Sequence, residues 1–290
     1  MLLKELPIEA RVRDCENQMT FLVCAQDHPG YGGTTLMAER LVGVGCFDAG
    51  ERSDGHSNPR KAIWEDVSSY GNNNYLLSNM QQWLNSDSRD WYKDLHELDM
   101  PPIAQNLRYN EHPYKEKPGF LAGFSKMFQD ALIEVDVQVL VREGRDKGAL
   151  QTIRSKVFLP SRTEIGKGDE SGFAEGKMMP IFHDPTILKA KPTDEDMAKY
   201  GRSWNPTYED IPLDAPQIYD PKFGWWFWLR TASMKYAYLI RVMSPYGAVS
   251  YTFANNDSVG IRPVLNLDSS LEILSDNDVF NETFTIVSGA

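Results

Sequence analysis

The sequence predicts an α+β fold in which strands and turns open the chain, two helices follow, and a long run of strands closes it. Three patterns carry that reading. Short β-type runs punctuated by turn residues fill the opening, and apolar residues recur at three- and four-residue spacing near Met80 and Phe124. From Val135 the period switches to two.

Taken in order, residues 10–13 and 20–25 read as strands, the second closed by the turn-rich Asp27-His28-Pro29-Gly30. Residues 35–44 form a further apolar stretch, and the polar segment 49–69 reads as a surface loop. Ser78 can cap a helix carrying Met80, Trp83 and Leu84 that stops near residues 85–87. A second helix is predicted over residues 119–133, where Phe120, Leu121, Phe124, Phe128, Leu132 and Ile133 repeat at helical spacing. Val135, Val137, Val139 and Val141 alternate with polar residues as a half-buried strand does, and residues 156–159 supply another.

Residues 166–223 hold much Pro, Gly and Asp with little periodicity, as expected of an irregular insertion in a single domain covering 1–290. Beyond it, residues 225–230 are a tryptophan-rich strand, and residues 238–243 and 248–253 form a hairpin around Ser244-Pro245-Tyr246-Gly247. Residues 260–267 read as one strand in which Pro263 must sit at an edge, a start or a bulge. Residues 284–287 end the series.

At 290 residues the chain can bury a core without disulfides or a structural metal. Its 41% hydrophobic and 11% aromatic content are those of a packed globular protein. Thirty Lys and Arg against 41 Asp and Glu leave a net charge of −11, which repels phosphate backbones, so nucleic acid is not an expected partner. No apolar run reaches membrane-spanning length and the opening residues are too polar for a signal sequence. Synthesis in a bacterial cytoplasm, with release by lysis, is the expectation. Cys15, Cys24 and Cys46 are read as buried thiols.

The spacings that catalysis requires are not met. His28, His56, His96, His112 and His183 are never i, i+2 or i, i+4 partners. His96 and Asp99 read as an exposed local pair. Ser125 lacks the glycine frame of a hydrolase elbow and is expected on a helix surface. The glycines around Tyr31 and Val44 lack a phosphate-loop or dinucleotide pattern and read as turns, and Asp48 stands where a third fingerprint glycine belongs. Asp276-Asn277-Asp278 lacks the glycine and closing glutamate of a calcium loop. The expectation is therefore a protein that is not an enzyme and needs no cofactor or metal.

Residues 233–258 offer something else. Tyr236, Tyr238, Tyr246, Tyr251 and Phe253 are interleaved with small polar residues, the mixture that binding loops use for wide contact and adaptable hydrogen bonding. Tyr236, Tyr238, Arg241, Tyr246, Tyr251, Phe253, Asn255, Asn256 and Asp257 are the candidate ligand-binding residues. Trp225 to Trp228, with Trp83 and Arg262, are expected to hold the scaffold beneath them.

The block Tyr70-Gly71-Asn72-Asn73-Asn74-Tyr75, followed by Gln82-Trp83-Leu84-Asn85, resembles the DUF6273 family. Gly119-Phe120-Leu121, Val157-Phe158-Leu159-Pro160-Ser161, Trp228-Leu229-Arg230-Thr231 and Gly260-Ile261-Arg262-Pro263 match its later blocks in the same order. The resemblance implies a C-type-lectin-like fold, with two helices packed on a small twisted antiparallel sheet, long loop insertions and chain ends close together. It also implies an association with Gram-positive bacteria and their phages. In some relatives the segment before the terminal Gly-x-Arg-Pro block is diversified by a retroelement; here that segment is residues 233–258. The calcium motifs of sugar-binding lectins and the late cysteine pair of formylglycine-generating enzymes are absent, so the resemblance carries neither activity. The expected function is a recognition or display module on a phage particle, binding a protein or glycan on a host surface. The alternative is a decoration or baseplate subunit that uses the same face against neighbouring virion proteins, and the third is an enzyme of unknown chemistry. Membrane insertion is not expected, and homo-oligomerisation is left open.

Overall fold

The computed structural model describes residues 1–17, 19–52, 66–144, 147–192, 224–276 and 283–286. They form a mixed α+β structure that is mostly sheet. Strands β1 (Arg11–Arg13), β2 (Thr20–Gln26), β3 (Thr34–Ala38) and β4 (Gly43–Val44) come first; β5 (Val135–Gly144), β6 (Lys147–Ser155) and β7 (Val157–Phe158) lie mid-chain. The last third supplies β8 (Phe227–Ala232), β9 (Leu239–Met243), β10 (Val249–Phe253), β11 (Gly260–Ile261), β12 (Val264–Leu267), β13 (Ile273–Asp276) and β14 (Thr283–Ile286).

A seven-stranded sheet runs β13-β14-β1-β2-β3-β12-β7, a five-stranded sheet runs β10-β9-β8-β11-β4, and β5 pairs with β6. β1 lies antiparallel to β2 and parallel to β14, which draws the two ends of the described chain into one sheet. Two of the apolar runs in the sequence each divide between sheets. Residues 35–44 divide between β3 and β4, and residues 260–267, expected as one strand, divide between β11 and β12. The break falls at Arg262-Pro263, where proline has no N–H to continue a ladder. Arg262 is buried there and donates from Nε to the Ala38 carbonyl at 2.9 Å, from Nη1 to Ile187 at 2.5 Å and from Nη2 to Glu39 at 3.2 Å. One guanidinium thus takes up carbonyls on both sides of the crossing.

The helices are short. α1 (Val67–Tyr70) falls in the segment read as loop and is capped by Asp66, which accepts from Ser69 N at 3.0 Å. α2 (Asn79–Leu84) begins where the sequence places it, with Ser78 Oγ accepting from Gln81 N at 3.2 Å. The helix expected over 119–133 is interrupted. A 3-10 turn at Phe120–Gly123 gives way to extended backbone at Phe124, and α3 covers only Lys126–Ala131. Ser125 is the cap that starts α3, accepting from Phe128 N at 3.1 Å and donating to Asp14 Oδ1 at 2.5 Å, so it is buried and not a helix-surface serine. β6 escaped the sequence reading because its side chains are largely exposed and show no alternation.

The core is one continuous apolar cluster that draws residues from all three sheets. Trp228, fully buried, packs 5.7 Å from Phe47 and donates Nε1 to the Gly45 carbonyl at 2.8 Å. Trp83 likewise donates to the Pro118 carbonyl at 2.9 Å. Burying an indole is favourable when its N–H finds an acceptor, and both do. Cys24 and Cys46 are buried, but Cys15 is exposed. Residues 166–192 form irregular chain with 3-10 turns at Pro180–His183 and Pro185–Leu188; the rest of the expected insertion, like His56 and the far end of the calcium-loop-like segment, lies outside the described residues. Among the described residues no helix is long and apolar enough to cross a membrane.

Candidate functional site

The aromatic residues of the last third do converge, but not all in one place. Tyr236 and Tyr238 lie in the turn that leads into β9, and their rings stack at 5.3 Å and 11°. Tyr238 stacks on Phe253, at the end of β10, at 5.6 Å and 14°. Tyr70, at the end of α1, adds a fourth ring 4.5 Å from Phe253 and 5.2 Å from Tyr238. The Arg108 guanidinium lies 3.9 Å over the Phe253 ring and reaches toward Tyr109, whose ring is 48% exposed. The result is a half-exposed ribbon of rings with a cation at one end, a geometry in which each contact adds about 0.5–1.5 kcal/mol beyond simple burial. Partial burial, with Tyr236, Tyr70 and Asp66 nearby, raises the Tyr238 hydroxyl above the usual phenol range, so it remains a hydrogen-bond donor at neutral pH.

The ribbon is held from behind by the asparagine block. Asn73 Nδ2 donates to the carbonyls of Ser233 at 3.1 Å, Tyr236 at 3.0 Å and Leu239 at 2.8 Å, and Asn73 N donates to Ala237 at 2.7 Å. One buried side chain therefore satisfies most of the turn that presents Tyr236 and Tyr238.

The other candidates take different places. Tyr251 is 49% exposed on β10, an edge strand, with the Arg241 guanidinium 5.6 Å from its ring. Arg241 itself is tied inward, donating from Nε to Glu170 Oε2 at 2.9 Å and from Nη2 to Oε1 at 2.5 Å. Tyr246 is 52% exposed at the hairpin turn, separated from the ribbon by the length of the β9–β10 ladder, roughly 13 Å. Asn256 is half-buried and bonded locally to Thr252 and Ser258. Asn255 and Asp257 are corrections. Asn255 is 4% exposed and its Nδ2 donates to the Ser69 carbonyl; Asp257 is fully buried and accepts from the backbone amides of Tyr109, Glu111 and His112. Both shape the loops that carry Tyr70 and Tyr109. Tyr70, Arg108 and Tyr109 were missed because they lie far from residues 233–258 in sequence and only the loop packing joins them.

Behind the same loops lies a buried acidic cluster. Asp48, Glu51 and Asp99 are 1%, 6% and 6% exposed, and one oxygen from each lies within 4.8 Å of the others. Asp48 accepts from the amides of Asn72 at 2.9 Å and Asn79 at 3.1 Å, and Glu51 accepts from Asn72 Nδ2 at 2.8 Å. Burial, then the negative charges of Asp99 and Glu51, raise the Asp48 carboxyl well above its ordinary range. Asp99 is pushed up to about 8 by burial and by Glu51. The expected exposed pair of His96 and Asp99 is not found: they sit in a turn, with Asp99 N donating to the His96 carbonyl, and Asp99 faces inward. Elsewhere, a cleft of about 400 Å³ is lined by Arg11, Glu39, Lys189, Lys191 and Arg262, but Arg11 and Glu39 pair at 2.9 Å and none of the sequence candidates reaches it.

The family model of a domain of unknown function, DUF6273, matches residues 32–269. The chain belongs to the DUF6273 family. The DUF6273 span holds the aromatic ribbon, the asparagine block and the acidic cluster, and it ends within the seven-stranded sheet, since β1, β2, β13 and β14 lie outside it. No curated protein and no solved structure matches this DUF6273 chain.

Proposed function

We propose that this protein is a non-enzymatic recognition or display module of C-type-lectin type, and that it grips a protein or glycan on a host surface through the ribbon formed by Tyr236, Tyr238, Phe253 and Tyr70 with Arg108. The observation that carries the reading is the co-stacking of Tyr236, Tyr238 and Phe253 on a turn whose backbone is satisfied from behind by Asn73. Rigid rings held half-exposed lose little entropy when a ligand covers them, and aromatic anchors of this kind dominate binding energies. A sugar ring or an apolar side chain can lie along the ribbon while Arg108 and the tyrosine hydroxyls supply polar contacts. The adjacency of β1 and β14 agrees with the joined chain ends of that fold type, and display on a phage particle is the setting this reading favours.

The test is binding of the purified protein to whole Gram-positive cells and to their isolated wall polysaccharide, for wild type and for Tyr236→Ala/Tyr238→Ala. The expected result is binding by wild type and at least a tenfold loss in the variant at a melting temperature within about 2 °C of wild type. Undiminished binding by the variant would contradict the proposal, and a particle image with the ribbon buried against a neighbour would replace it with the assembly-subunit reading.

A further inference from the structure

Arg262 serves the fold and leaves part of its binding capacity unused. Its Nε donates to the Ala38 carbonyl, Nη1 to that of Ile187 and Nη2 to that of Glu39, so one N–H on each Nη has no acceptor among the described residues. The residue is 2% exposed, and its three acceptors are all neutral carbonyls. The Phe227 ring lies 5.7 Å from the guanidinium, and the Glu39 carboxylate is turned instead to Arg11 Nε at 2.9 Å. Burial lowers the Arg262 guanidinium to about 10, which still leaves it charged at neutral pH. A buried charge met only by amide dipoles is costly, and an anion beside it offsets that cost.

The guanidinium borders the cleft of about 400 Å³. Ile187 and Glu39 line that cleft together with Arg262, so the Nη ends that bond to them lie at its wall. Lys189 and Lys191 line it too, and neither ammonium has a hydrogen bond or ion pair among the described residues. The chain holds both lysines in place: Leu41 N donates to the Lys191 carbonyl at 2.7 Å, and Trp225 N to the Ala190 carbonyl at 2.8 Å. A Cβ on Gly224 would meet Lys189 Cα at 2.6 Å, so the backbone beneath Lys189 is closely packed. With Arg11, four cations face the carboxylates of Glu9 and Glu39, which leaves the lining two charges positive on a chain whose net charge is −11.

We infer that this cleft binds a dianionic oxyanion of the phosphate class, with Arg262 as its buried anchor and Lys189 and Lys191 as its outer clamp. A planar guanidinium with N–H groups to spare suits the oxygens of such an ion, and the flexible ammoniums can follow those that remain. The excess of two positive charges matches a dianion better than a single carboxylate. The negative field of the whole chain is screened within roughly 8 Å at physiological salt, so it does not cancel cations at contact distance. The volume falls in the range of small-molecule pockets, roughly 300–1,000 Å³, and leaves room for a small esterified group beyond the phosphate. None of the ribbon residues lines the cleft, so the inference does not depend on the ribbon being a binding face.

The test is calorimetric titration of the full chain near neutral pH with sodium phosphate, glycerol 3-phosphate and sodium acetate, for wild type, Lys189→Met/Lys191→Met and Glu39→Gln. Wild type should bind about one equivalent of a phosphate with Kd below about 1 mM, and acetate at least tenfold more weakly. The tighter of the two phosphates names the source, free ion or ester. The double lysine variant changes side chains that are half-buried and exposed, so it is expected to fold, and it should lose at least tenfold in phosphate affinity. Glu39→Gln removes a negative charge and releases Arg11, so it should bind phosphate about threefold more tightly. Failure of both phosphates to saturate wild type near 1 mM, acetate binding as tight as phosphate, unchanged affinity in the lysine variant, or weaker binding in Glu39→Gln would each overturn the assignment. If the double variant does not fold, Lys191→Met takes its place, with an expected loss of at least threefold. Failure here leaves the cell-binding test of the ribbon unaffected.

Discussion

Arg230 and Glu164 anchor one buried charge cluster, Asp48, Glu51 and Asp99 form another, and the two are balanced in opposite ways. Arg230, fully buried, faces Glu164 with Nη1 at 2.6 Å from Oε2 and Nη2 at 2.9 Å from Oε1, and donates further to the carbonyls of Leu159, Gln138 and Glu175. Glu164 also accepts from Ser161 N at 2.9 Å and from the Tyr31 hydroxyl. Glu175 beside it is raised in pKa by burial and accepts from Leu140 N at 2.7 Å and from the Thr231 hydroxyl. That cluster contains its own positive charge and joins β8 to the β5–β6 hairpin and the chain after β7. The acidic cluster gathers negative charge and leaves Asp99 Oδ2 unpartnered. The first network is closed by groups of the described chain, whereas burial and mutual repulsion hold the Asp48 and Asp99 carboxyls above their ordinary range.

The strongest way to break this contrast is Arg230→Met. It strands Glu164 as an unpaired buried carboxylate and should cost about 3–5 kcal/mol in urea denaturation, with Glu164→Gln in the same chain recovering part of the loss. A cost below about 1 kcal/mol would show that the network is not needed for stability. Next is Asn73→Ala, which removes the donor shared by three carbonyls of the Tyr236–Tyr238 turn. A loss of about 1–3 kcal/mol is expected in the same assay. The smallest effect sharpens the comparison by its sign. Asp99→Asn should raise stability at pH 8 by about 1 kcal/mol because it relieves repulsion, whereas Glu164→Gln alone should lower it.

Much of the frame is legible in the residues. Ser78 stands before apolar positions at helical spacing, and α2 starts there; Ser244-Pro245-Tyr246-Gly247 separates two β-type runs, and the β9–β10 hairpin turns there. Composition singled out Tyr236, Tyr238 and Phe253, whose rings the fold stacks together, because tyrosines crowded among small polar residues are visible in a linear window. What was not legible depends on contacts between distant segments. The apolar period over 119–133 continues through Phe124, yet Asp14 captures Ser125 and starts the helix there. The run 260–267 is uniformly strand-like, and only Arg262 bonding to residues 38, 39 and 187 shows why it belongs to two sheets. Asp257 and Asn255 look like ligand-facing polar residues until their backbone partners are seen. Asp48, Glu51 and Asp99 are three of 41 acidic residues, and no local spacing distinguishes them.

The contrast between the two clusters is tested most directly by urea denaturation of the wild-type protein and Asp99→Asn from pH 5 to pH 9. Folding raises the Asp99 carboxyl to about 8, so the folded protein holds a proton there that the unfolded chain gives up near pH 4, and wild-type stability is expected to fall as pH rises toward 8 more steeply than that of Asp99→Asn. The same pH dependence in both proteins would contradict the account.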